Sequence, residues 1–406
     1  MRLGPVYPLH PPVLRLHAFG CLSARVKKQR PTPHQNALTT NMLFTLCTAC
    51  AAPLPEDAVR CAACATGYCS ERCERYDRRR GGHGKVCSAI ASGGGAEQYH
   101  ADKKYEEAVT VAVEECAEDT AGQTCYICLE DGSEEGLVRG CSCRGAAGVA
   151  HVSCLARQAQ VAAERTFIRW HTCGLCEQQY HGVVRCALGW ACWKTYVGRP
   201  ETDKARGFAM EQLGTGLYVA NRDEEALSVQ EATLSIMRRN GESEGNMLTV
   251  QANIVNTLEE VGRAEEAMLM RDDVYSGTLK LYGEEHRETL VEADNYAVAL
   301  SDLGRFEEAK SLIRKTMPVA RRVLGESDQL VLGMRQNFAL TLYRDEGSTL
   351  ADLHDAVTML EGIEPTARRV LGGAHPLMET IEISLRKARA ALRARETQSP
   401  SPSESS

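Results

Sequence analysis

Apolar and polar positions recur on a fixed period in the second half of the chain. GRAEEA at 262 to 267 returns as GRFEEA at 304 to 309, and LYGEEHRETL at 281 to 290 returns as VLGESDQLVL at 323 to 332. Asn253, Asn295 and Asn337 fall at equivalent places, and all three comparisons give a spacing of 42 residues. NRDEEA at 221 to 226 is an earlier copy 41 residues upstream, and VLGGAHPLMET is a later one after a five-residue insertion. A fixed period of this size predicts stacked helix pairs with a glycine turn inside each pair. Small residues such as Ala267 and Ala309 are expected where neighbouring helices pass closely. Glu265, Glu266, Glu307 and Glu308 belong at helix starts and on the solvent face. SLRKARAALRARE is the capping helix, and QSPSPSESS after it is disordered by composition.

Two further helices are predicted upstream. AEQYHADKKYEEAVTVAVEECAED begins after a flexible SGGG, and LARQAQVAAERTFIRW is rich in alanine and glutamine, both good helix formers. Nowhere do about 18 uncharged apolar residues run together, so no transmembrane segment is expected. The first 55 residues carry Arg2, Arg15, Arg25, Lys27, Lys28 and Arg30 but Pro5, Pro8, Pro11, Pro12, Pro31 and Pro33 interrupt any amphipathic helix. That favours a disordered leader over a transit peptide, with translation from Met1 or from Met42 left open.

Composition adds chemistry to this helical outline. Of 406 residues 43% are hydrophobic and only 5% aromatic, a balance that suits helices and two or three domains. The net charge of -7 gives no push toward nucleic acid or anionic membrane, so no nucleic-acid partner is expected. Eighteen cysteines are the unusual feature. Most form short pairs joined to histidines at fixed offsets, which reads as zinc in a reducing compartment, cytoplasmic with the nucleus as alternative. Cys21, Cys116, Cys186 and Cys192 are left over as free thiols.

Cys47, Cys50, Cys61, Cys64, Cys69, Cys73, His83 and Cys87 form the first cluster, spaced C-x2-C-x10-C-x2-C-x4-C-x3-C-x9-H-x3-C. Eight ligands suffice for two closed tetrahedral zinc sites, structural rather than catalytic. The second cluster is Cys125, Cys128, Cys141, Cys143, His151, Cys154, Cys173 and Cys176, spaced C-x2-C-x12-C-x-C-x7-H-x2-C-x18-C-x2-C. Here Cys125, Cys128, His151 and Cys154 can share one ion while Cys141, Cys143, Cys173 and Cys176 share another. Four zinc ions per chain are therefore expected, with Gly140, Gly145 and Gly148 turning the backbone around the second pair. No remaining cysteine has the histidine neighbour a nucleophile needs, so no catalytic residue is assigned. Arg72, Arg75, Arg78, Arg79, Arg80 and Lys85 form either a solvated face or a basic patch for an acidic partner.

Three resemblances follow. The first cluster, with its GYCS run, resembles the MYND zinc finger, which implies that Cys47, Cys50, Cys69 and Cys73 hold one ion and Cys61, Cys64, His83 and Cys87 the other. Members of that family dock proline-containing peptides through a glutamine and a tryptophan that this chain lacks. CYICLE, GCSCRG, AHVSCL and WHTCGLC over residues 123 to 178 are similar to the RING-CH finger. That implies a ubiquitin ligase of the scaffold type, gripping a ubiquitin-conjugating enzyme through Ile127 and Trp170 without a covalent intermediate. Packing of the small core is the other reading of these two side chains. Glu177, Gln178 and Gln179 stand where some ligases keep a basic residue. The G-R-x-x-E-A and L-G-x-x-H phrases resemble tetratricopeptide repeats of the kinesin light chain type, which implies a concave surface for a protein or peptide partner. The expected chain is mainly α: a leader over 1–42, a MYND-like finger over 43–90, a helical linker over 91–120, a RING-CH-like finger over 121–181, an α-solenoid over 200–397 and a tail over 398–406. A non-enzymatic zinc-finger and repeat adaptor is the alternative to a ligase.

Overall fold

The computed structural model describes residues 47–50, 52, 54–55, 57–372 and 376–398. The predicted leader, Cys21 and nearly all of the predicted tail lie outside them. The described chain is mainly α and divides into two compact units, 47–263 and 264–398. The division falls in the GRAEEA turn, inside the repeat region.

The first unit opens with a hairpin of β1 (Val59–Arg60) and β2 (Gly67–Tyr68), Val59 opposite Tyr68. Then come α1 (Glu71–Tyr76), a π-helical turn over Asp77–Gly81, and α2 (His83–Ser92). Ser70 caps α1 by accepting from the Cys73 amide. The predicted linker helix is α3 (Ala96–Thr120). The second finger contains α4 (Val152–Ala162) and a 3-10 turn at Phe167–Trp170, so the helix expected through Trp170 stops about two turns early. Thr166 is extended there, and its hydroxyl accepts from the Ile168 amide 3.2 Å away, starting the new turn.

Residues 182–199, between the predicted finger and the predicted solenoid, hold the central helix of this unit. In α5 (Gly182–Tyr196), 11 of 15 residues are buried, including Trp190 and Trp193. A helix apolar on all sides belongs inside a core, and α5 packs on α3, α4 and α6 (Lys204–Val219). Close crossing with α6 depends on two glycines: a Cβ at Gly216 would lie 2.9 Å from the Arg185 carbonyl, and one at Gly189 would lie 3.0 Å from the Gln212 carbonyl. Arg206 of α6 stacks on Trp193 at 5.0 Å and reaches the Glu97 carboxylate of α3 at 3.0 Å. One continuous core thus runs from the second finger through α3 and α5 to α6 and α7 (Asp223–Asn240). Helix α8 (Glu244–Glu260) completes the unit by packing on α6 and α7.

The second unit holds α9 (Ala264–Tyr282), α10 (Arg287–Asp302), α11 (Phe306–Leu324), α12 (Gln329–Arg344), α13 (Leu350–Leu371) and α14 (Pro376–Gln398). Each helix packs on the next, and α10, α12 and α14 also touch in succession, the stacking that repeat sequences produce. Ala267 and Ala309 are buried at these contacts, and Glu265, Glu266, Glu307 and Glu308 sit in first turns, as the periodicity predicts. His286 and Asp328, which share a place in the repeat, each cap the following helix by accepting a backbone amide.

Candidate metal centres

Three C-x2-C pairs share one backbone frame. The amide of Cys61, Cys125 and Cys173 donates to the carbonyl five residues on, and the amide four residues on returns to the first cysteine's carbonyl, at 2.8–3.2 Å. The residue after each second cysteine, Ala65, Leu129 and Glu177, has a positive φ of 58–68°. That conformation is strained for non-glycine residues and is held here because the turn aims two sulfurs at one point. The first pair follows the same start, Cys47 donating to the Ala52 carbonyl at 2.7 Å.

The turns gather four quartets: Cys47, Cys50, Cys69 and Cys73; Cys61, Cys64, His83 and Cys87; Cys125, Cys128, His151 and Cys154; Cys141, Cys143, Cys173 and Cys176. Within each, the ligand atoms lie within 4.8 Å of one another. Zn–S bonds of about 2.3 Å at a tetrahedral angle place sulfurs about 3.8 Å apart, and S···N pairs about 3.6 Å apart. The observed spacings match: Cys50–Cys69 3.6 Å, Cys61–Cys87 3.7 Å, Cys143–Cys173 3.8 Å, Cys64–His83 Nε2 3.6 Å and Cys154–His151 Nδ1 3.7 Å. The donor set and geometry therefore fit zinc, and each finger is cross-braced, as expected for both clusters.

The thiols show why a cation belongs there. Burial opposes ionisation of Cys61, yet hydrogen bonds from His83 and the turn amides overcome it and bring the thiol down to about 6. Its neighbour Cys87 is pushed up to about 11 by burial and by the Cys61 and Cys64 sulfurs. Likewise Cys125 drops to about 7 while Cys154 rises to about 12. Crowded sulfurs tolerate one thiolate easily and a second only with a metal to neutralise it.

Partners outside the ligand sets fix the rings and turns. His151 Nε2 lies 2.9 Å from the Asp131 carbonyl, which sets the tautomer and leaves Nδ1 for the metal. His83 presents Nε2 instead, its ring edge-on to Tyr68, whose hydroxyl donates to Asp77 Oδ2 at 3.0 Å. Glu135 accepts from the Ser153 amide at 2.8 Å, capping α4 where His151 cannot. No spacing rule marks Asp131, Asp77 or Glu135 in the sequence. Gly148 has φ of +81°, and a Cβ on it would sit 2.6 Å from the Cys143 Cβ, so its role at the metal is as expected. Gly140 is different: a Cβ there would strike Val184 of α5 at 2.5 Å, so it makes room for a helix rather than a turn.

Ile127 and Trp170 separate. Ile127 is half-buried on the first knuckle of the second finger, and its amide donates to Cys125 Sγ. Trp170 is 0% exposed, edge-on to Tyr196 of α5 with ring centroids 6.1 Å apart, so in this structure it is core and offers no surface to a partner. Leu129 and Leu175, on two knuckles of the same finger, are 76% and 52% exposed. Of the spare thiols, Cys116, Cys186 and Cys192 are all buried. Among the described residues no helix is long and apolar enough to cross a membrane.

Comparison with known proteins supports two modules. Residues 125–176 match the RING-variant domain, and residues 293–329 match a tetratricopeptide repeat. No curated protein matches the chain. Among solved structures it is similar to Podosopora anserina kinesin light chain nearly identical TPR-like repeats, at 16% identity over 54% of this chain and 96% of that one, with a TM-score of 0.39. It is also similar to BtubC (BKLC) from P. vanneervenii, at 13% identity over 63% of this chain and 93% of that one, with a TM-score of 0.35. The chain thus carries a RING-variant finger and tetratricopeptide repeats beside a second cysteine-rich finger.

Proposed function

We propose that the chain is a RING-CH-type ubiquitin ligase of the scaffold kind. In this reading the second finger holds a ubiquitin-conjugating enzyme, the first is a MYND-type zinc finger, and the repeats recruit the protein to be modified. A lysine amine of that protein attacks the thioester carbonyl on the conjugating enzyme; the isopeptide bond forms as the C–S bond breaks, and the thiolate leaves with the conjugating enzyme. Zinc supplies shape to such a ligase, not chemistry.

The observation that carries the reading is the apolar surface of the second finger. Ile127, Leu129 and Leu175 stand on two crossed zinc knuckles, and Gln158 of α4 lies between the knuckles: Tyr126 donates to its Oε1 at 3.4 Å, and a Cβ on Gly174 would sit 3.4 Å from the same atom. Exposed leucines on rigid metal-braced turns suit a protein partner, because little conformational entropy is lost when they are covered. Trp170, the last residue of the 3-10 turn, is then part of the core and not of this surface.

A self-ubiquitination assay of the zinc-loaded chain against a panel of conjugating enzymes tests the reading. Activity with at least one enzyme, lost in Leu175→Ala, is expected; silence of the zinc-loaded wild type across the panel overturns it. A non-enzymatic adaptor is the second reading. It is favoured by the burial of Trp170 and by Glu177, Gln178 and Gln179 after the last ligand.

A further inference from the structure

We propose that the outer face of α1 and the π-turn, built on Arg72, Tyr76, Arg79 and Arg80, is a docking surface for a short acidic peptide segment. The proposal rests on the fold of the first finger and is independent of ligase activity.

The face is unusual in three ways. First, its cations lack counter-ions. Arg75 pairs with Glu71, and Arg78 leans on the Cys61 sulfur at 3.7 Å, but Arg72, Arg79 and Arg80 make no ion pair among the described residues, and all three are exposed. Second, an aromatic ring lies in the same row. Tyr76 is 57% exposed, one helical turn after Arg72 and one before Arg80. Third, the backbone beneath is pinned. Asp77 is buried and bound to the Tyr68 hydroxyl, and a Cβ on Gly81 would lie 2.1 Å from Asp77 Oδ1. Residues four apart therefore stack through this turn, as 77 and 81 do, which puts Tyr76 and Arg80, both exposed, in one row beside them. π-turns are rare and frequently occur at functional sites.

Dimensions and charge choose the partner. From Arg72 to Arg80 the face runs about 12 Å, the length of about four residues of extended peptide. A chain of net charge -7 repels a long polyanion, whereas a run of four carboxylates matches three free guanidinium groups around one ring. An alternative role for the arginines is internal: a zinc ion carries a net charge of about −2 with four thiolates and about −1 with three thiolates and a histidine, and cations nearby offset it. Arg78 serves that purpose through Cys61; the other three face solvent.

The test uses the full zinc-loaded chain and a fluorescent peptide with four consecutive aspartates, its asparagine counterpart, and oligothymidylate. Binding of the aspartate peptide, weakened by salt and reduced about tenfold or more in R72E/R79E/R80E with four zinc ions retained, is expected. A fall of similar size in Tyr76→Ala locates the row. Equal binding of the asparagine peptide, no binding of the aspartate peptide, or unchanged affinity in the triple variant overturns the proposal. Loss of zinc in the triple variant overturns it in favour of the internal role, and tighter binding of oligothymidylate overturns it in favour of a nucleic-acid surface.

Discussion

Trp170→Ala separates a core residue from a contact residue. The side chain is 0% exposed and sits against Tyr196, while the adjacent Phe167 ring meets Tyr196 at 5.7 Å and Phe208 of α6 at 4.4 Å. Removing a buried indole deletes its transfer free energy and leaves a cavity, about 3–5 kcal/mol in well-packed cores. The edge-on contact with Tyr196 accounts for about 1 kcal/mol of that. A residue that only touched a partner would cost under about 0.5 kcal/mol on truncation, which is the value expected for Leu175→Ala at 52% exposure. Urea unfolding of the zinc-saturated chain measures both, followed by tryptophan emission. All three tryptophans, Trp170, Trp190 and Trp193, lie in the first unit, and Trp190 and Trp193 still report on it in the variant. A Trp170→Ala midpoint equivalent to less than about 1 kcal/mol of destabilisation would refute the packing described here and return Trp170 to the partner surface.

Three other outcomes follow from the same structure. Denaturing the chain in the presence of a metallochromic dye should release four zinc equivalents, and fewer would remove one of the quartets from the set of filled sites. Gly216→Val should destabilise the first unit by about 1–3 kcal/mol or more, because its Cβ meets the Arg185 backbone carbonyl rather than a movable side chain; unchanged urea midpoints would contradict the close crossing of α5 and α6. In the second unit burial raises Asp294 to about 7, although Asn337 donates to it at 2.9 Å, and burial also raises Glu292 against the pull of Arg271. The unfolded chain gives up that Asp294 proton near pH 4 and the folded unit holds it to about 7, so stability should fall as pH rises between them. Hydrogen exchange of α10 and α12 in the full chain measures this, and Asp294→Asn should flatten the dependence; the same slope in the variant would assign it elsewhere.

What was legible in the sequence follows from the range of the interaction that encodes it. Ligands two to four residues apart lie on one turn, so the pairs announce themselves; the quartets come together as pair order suggests for the second finger and as the MYND resemblance implies for the first. Repeats are legible for a similar reason, since a motif such as L-G-x-x-H repeats a local job: His286 and Asp328 cap helices. Helix α5 was not legible, because a segment buried on every side carries no polar phase to read. Missing α5 had consequences elsewhere. Gly140 reads as a turn residue when Val184 is not placed opposite it, and Trp170 reads as either groove or core when Tyr196 is not placed against it. The early end of α4 turned on one threonine cap, which alanine-rich propensity outweighs in a sequence reading.

The two fingers should also respond differently to loss of a ligand. Cys47, Cys61 and Cys64 belong to a small cluster with Tyr68, Ile90 and Ala96, whereas Cys125, Cys141 and Cys173 are packed into the core that contains Trp170, Trp190 and Trp193. A structural zinc ion contributes roughly 10 kcal/mol or more to its fold, comparable with the whole stability of a domain. Cys50→Ser should therefore release zinc and disorder the first finger while tryptophan emission and its urea midpoint stay near wild type. Cys143→Ser should shift that midpoint strongly, because opening the quartet loosens the seat of α5 against the second finger. Equal midpoints for the two variants would show that the second finger is a detachable module, and that the continuous core between metal and helices does not couple them.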